Sequence, residues 1–105
     1  MYRTALALAG FGVEEAIDGI DALRRLDHGR PDLIVLKIEL PDISGIALAE
    51  EVAAHVQTRA IPVVAITDAD ANLSSLRVSS ILRKPVTPEQ VVIAVKRGLA
   101  GAVSC

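Results

Sequence analysis

Pro31-Asp32-Leu33-Ile34-Val35-Leu36-Lys37-Ile38-Glu39-Leu40-Pro41-Asp42-Ile43-Ser44-Gly45 reads as a strand, a turn and the opening of a helix. Leu33 to Leu36 is a short, continuous apolar run, as expected of a parallel strand covered on both faces. Leu40-Pro41-Asp42 turns the chain, and Ser44 stands where a helix N-cap is needed. The strand ends on Lys37, a cation at the point where buried backbone meets solvent.

The same alternation extends in both directions. Residues 2–9 read as a helix stopped by Gly10, with Phe11 folding back. Val13 to Ala16 is expected to be a short strand. Asp18 caps a helix carrying Ala22, Leu23 and Leu26 and ending near His28-Gly29. After Ser44 the apolar face of the next helix is expected to hold Leu48, Val52 and Val56. Ile61 to Ile66 is a strand whose Pro62 lies near its start, where a missing donor is tolerated. Asp70 to Arg77 suggests a short helix or turn, and Ser79 to Leu82 a weak strand. Thr87-Pro88-Glu89-Gln90 combines a capping threonine, a first-turn proline and a capping-box glutamine. The last helix is expected to end near Leu99, leaving 100–105 as a frayed tail behind one domain over 1–99. Strands alternating with helices imply βα units and a mostly parallel sheet.

Composition narrows the function. The chain has 105 residues, 51% apolar, with Tyr2 and Phe11 as its aromatics and a net charge of −2. Neither a basic face nor an aromatic platform is present, so direct nucleic-acid contact is not expected. One cysteine, Cys105, leaves no disulfide framework. No apolar run is long enough to span a bilayer, and no secretory signal is read, so a cytoplasmic location without membrane contact is expected. His28 and His55 lack ligand spacing and read as surface residues, and Arg24-Arg25 as a solvated helix face. Gly10-Phe11-Gly12 precedes a strand instead of following one, which rejects a dinucleotide fingerprint.

Five pieces in order carry a resemblance. Gly12 to Ala16 with Asp18 to Leu23, Pro31 to Leu36 with Leu40-Pro41 and Gly45, Ile61 to Thr67, Leu82 to Pro85, and Thr87 to Glu89 together resemble the receiver domains of response regulators in two-component signalling. The resemblance implies a flavodoxin-like α/β fold, a parallel sheet with helices on both faces. It implies that Lys37 occupies the phosphoacceptor position, with Thr67 as switch hydroxyl and Lys84 as phosphate-contacting lysine. It also implies a cis Lys84-Pro85 bond, where X-Pro statistics alone favour trans.

The departures point one way. Lys37 cannot accept a phosphoryl group as an aspartate does, so no catalytic residue is expected. The family's first strand, with its acidic pair, has no counterpart; it would lie between the strands at Val13 and Leu33. No cofactor is therefore expected, Mg²⁺ included. Thr67 and Lys84 are 17 positions apart, about one helical turn short of the family's usual span, so the fourth helix is expected to be clipped. Ile81 replaces the rotating aromatic.

Lys37 and Lys84 are expected to face each other at about 5 Å with a repulsion of roughly 1–3 kcal/mol. That would drive Lys37 to solvent or onto Glu39, Asp42 or Asp68. The expected function is a pseudo-receiver that is not phosphorylated and acts as an interaction module. Its expected partners are proteins: a histidine kinase, an effector domain or another receiver. A truncated fragment without independent function is the alternative, and nothing in the residues supports an enzyme.

Overall fold

The computed structural model describes residues 2–39, 42, 44–68 and 78–103. Their elements follow in the order α1 (Tyr2–Leu8), α2 (Gly19–His28), β1 (Ile34–Lys37), α3 (Gly45–Ala54), β2 (Val63–Thr67), β3 (Ser80–Arg83) and α4 (Pro88–Val103). The strands form a parallel sheet in the order β1-β2-β3. The expected helix or turn at 70–77, and with it the expected clipping, lies outside the described residues.

Period-two alternation divides the core into two layers. Ile34 and Leu36 of β1, Val63 and Ala65 of β2 and Ile81 of β3 face one side, where Leu48, Ala49 and Val52 of α3 and Ala22, Leu23 and Leu26 of α2 cover them. Leu33 and Val35, Ile66 and Leu82 face the other, against Leu6 of α1 and Val91, Val95 and Leu99 of α4. Every residue of β2 is buried, as its central place requires. The all-aliphatic composition suits such layers, since branched side chains fill space in few rotamers.

Local chemistry sets most boundaries. Gly10 adopts φ +99°, which lets the Phe11 amide reach back to the Leu6 carbonyl at 3.1 Å and close α1. The Asp18 carboxylate accepts from the Asp21 amide at 2.8 Å at the start of α2. At α4 the capping box is reciprocal: Thr87 N donates to Gln90 Oε1 at 2.8 Å, and Gln90 N donates to Thr87 Oγ1 at 3.2 Å.

Three expectations are corrected. Residues 13–16 are not a strand. Among the described residues β1 pairs only with β2, so no strand stands between β1 and this segment, and its backbone has no ladder to join. Val13 still packs into the α1–α4 layer.

Val56 is 70% exposed, not part of the apolar face, because α3 stops at Ala54. There the buried Thr58 hydroxyl donates to the Val52 carbonyl at 2.7 Å and turns the chain away. α4 continues past Leu99 to Val103. At Gly98 within it, a Cβ would lie 2.7 Å from Leu33 Cδ1, so the glycine permits close helix–sheet packing.

Candidate functional site at the strand ends

In a parallel sheet the carboxyl ends of the strands share one edge, where ligand sites of open α/β folds gather. Lys37 ends β1, Thr67 ends β2, and Lys84 follows Arg83 at the end of β3. The register pairs Lys37 with Ile66 and Thr67 with Arg83, bringing all three residues to that edge. The Lys84 amide donates to the Thr67 carbonyl and the Ile38 amide to the Ile66 carbonyl, each at 2.9 Å. The ladder thus runs one residue past β1 and one past β3.

Thr67 is fully buried. Its hydroxyl donates to Glu39 Oε2 at 2.8 Å. Lys84 and Asp68, both about half exposed, form a 3.7 Å ion pair. Asp42 takes another role. Its two carboxylate oxygens accept from the Gly19 amide at 3.0 Å and the Ile20 amide at 2.9 Å, setting a negative charge on the N-terminus of α2. The loop after β1 is thereby tied to a neighbouring helix.

At the other end of that loop, the Gly45 amide donates to the Ile38 carbonyl at 2.8 Å. A Cβ on Gly45 would stand 2.4 Å from Ile38 Cα and 2.5 Å from the Lys37 carbonyl oxygen, so no larger residue fits. Ser44 Oγ then accepts from the Ala47 amide at 3.0 Å and opens α3.

Lys37 is exposed and, among the described residues, has no carboxylate within ion-pair distance. The solvent alternative therefore holds, and pairing with Glu39, Asp42 or Asp68 does not. The physical reason is competition: each of those carboxylates already has another donor.

The strands that bring Lys37 and Lys84 to this edge flank β2, so the two backbones lie about 10 Å apart, and Lys84 is held by Asp68. Glu39 as the acceptor for Thr67 was missed. The available signal was spacing: Glu39 lies two residues beyond Lys37, past the buried Ile38 at 6% exposure. Ile81 packs into the α2–α3 layer, and Lys84-Pro85 is cis.

Comparison with known proteins decides the family. Residues 1–96 match the response regulator receiver domain. The chain belongs to this family. This receiver is 33% identical to the regulatory protein VanRc of Enterococcus gallinarum over 104 residues, a match covering 94% of this chain and 44% of that protein. The receiver thus spans less than two thirds of that relative.

The signal receiver domain of a signal transduction histidine kinase from Syntrophus aciditrophicus superposes with a TM-score of 0.88 at 27% identity, covering 98% of this chain and 82% of that one. The receiver domain of a Pseudomonas aeruginosa sensor histidine kinase, solved with magnesium in its active-site cleft, superposes at 0.83 with 24% identity, covering 93% and 84%. At that identity the likeness is one of fold. The receiver therefore has the flavodoxin-like architecture expected from its sequence.

Proposed function

We propose that this receiver is a signalling domain that is not phosphorylated at the usual position and acts through protein contacts. The observation that carries the reading is Lys37, an exposed ammonium at the end of β1. Phosphoryl transfer to a receiver needs an anionic nucleophile at that strand end. An ammonium is neither nucleophile nor anion, and its positive charge repels a divalent metal.

The donor set also fails to fit Mg²⁺, which prefers several oxygen ligands in octahedral geometry. Among the described residues no three His, Cys, Asp or Glu side chains are grouped to hold a metal ion. The nearby carboxylates of Glu39, Asp68 and Asp42 each serve another donor.

Thr67 and Lys84 are the remnants of the switch site in this reading. They keep the places from which a hydroxyl and a lysine would meet phosphoryl oxygens. In this reading the domain is a signalling module and not an enzyme. Its partners are proteins of the two-component class, such as a histidine kinase, an effector domain or another receiver. Its setting is cytoplasmic, in keeping with the lack, among the described residues, of a helix long and apolar enough to cross a membrane.

Titration followed on backbone amides tests the reading. Mg²⁺, alone and with acetyl phosphate, is expected to leave the amides of Lys37, Glu39, Asp68 and Lys84 without saturable shifts. Saturable shifts at these four positions would overturn it.

A further inference from the structure

Thr67 is the one fully buried polar side chain at the strand ends, and a buried hydroxyl needs a partner within the fold. The partner it has is unusual in kind. Glu39 is a carboxylate from the loop of another strand, and its bond to the hydroxyl is charge-assisted, stronger than a bond to a neutral acceptor.

Glu39 is also placed in advance. Ile38, just before it, is anchored at three points: its amide on Ile66, its carbonyl on Gly45 and its side chain in the core. Gly45 packs so close to this anchor that a Cβ on it would stand 2.4 Å from Ile38 Cα. Lys84, the other group suited to an anion, likewise sits on an internal carboxylate, Asp68.

We propose that Glu39 is a built-in anionic occupant of the switch position, its carboxylate taking the Thr67 hydroxyl and holding the ends of β1 and β2 in one fixed arrangement. The hydroxyl and the lysine each meet a negative oxygen from the chain itself. The domain is thus held in a single state without an added ligand. The regulatory meaning of this hold rests on reading Thr67 as the switch hydroxyl, while the hold itself is open to direct measurement.

Side-chain three-bond scalar couplings of Thr67, read by NMR without Mg²⁺ or phosphodonor, test it independently of whether phosphorylation occurs. In the unaltered chain the couplings should report one staggered χ1 rotamer. In Glu39→Ala they should move toward rotamer-averaged values. Glu39→Gln, which keeps an amide oxygen at similar reach, should restore the single rotamer. Averaging in both variants would assign the hold to the carboxylate's charge and equally support the proposal. Glu39 is exposed, so both variants retain the core. Couplings in Glu39→Ala equal to those of the unaltered chain, or averaging already present in it, would overturn the proposal.

Discussion

Gly45 is the residue at which least can change. Its missing Cβ is what lets α3 begin against the backbone of Ile38, and the obstructing atoms are main chain, which cannot swing aside. Gly45→Ala is expected to cost at least about 2 kcal/mol in chemical denaturation, at the upper end of overpacking penalties. Thr67→Val should cost less, about 1 kcal/mol, because the isostere keeps the packing and the abandoned Glu39 is free to hydrate.

Asp21 carries a pH dependence. Its carboxylate accepts from the Ile17 amide at 3.0 Å and from Arg25 at 3.2 Å, and these bonds, the backbone one foremost, hold its pKa below the ordinary aspartate value. A carboxyl depressed in the folded state contributes stability above its unfolded pKa. That contribution is lost as pH falls through the folded value. An NMR titration should find the Asp21 carboxyl midpoint below that of a model peptide; a midpoint at or above it would contradict the assignment.

At the scale of elements, the helix starts were the most legible part of the sequence. Asp18, Ser44 and Thr87 with Gln90 were all readable because a cap is a local bond between near neighbours, and each is formed as expected. Thr87→Ala should cost about 1 kcal/mol in thermal or denaturant unfolding.

Helix ends and the first expected strand were less legible, for a physical reason. Val56 fits the period of α3, but a buried Thr58 further along the chain ends the helix before it. Val13 to Ala16 has strand composition, yet a strand exists only where a neighbour offers a ladder. The last helix, expected to end near Leu99, runs on to Val103. The first two failures lie where a distant residue overrides a local preference. The same holds at the strand ends: the location of Lys37, Thr67 and Lys84 there was legible from order along the chain, whereas the Glu39–Thr67 bond depends on two strands meeting in one register.

For the molecule as a whole, β2 joins the two apolar layers, since its alternate residues feed both. Loss of either layer should therefore unfold the other. Ile66→Ala, at a fully buried position, is expected to cost about 2–5 kcal/mol while leaving one cooperative transition. Separate melting of the α1–α4 and α2–α3 layers, seen as two transitions by different probes, would contradict this coupling.

The fold brings Lys37, Thr67 and Lys84 to the strand ends, and the proposal is that Lys37 stands where the family's chemistry needs its acceptor. Intact-mass measurement after incubation with acetyl phosphate and Mg²⁺, beside a receiver that retains its aspartate, tests this most directly. The expected result is an unchanged mass for this chain and a gain of one phosphoryl group for the other. A stoichiometric, hydroxylamine-sensitive phosphoryl adduct on this chain would contradict it.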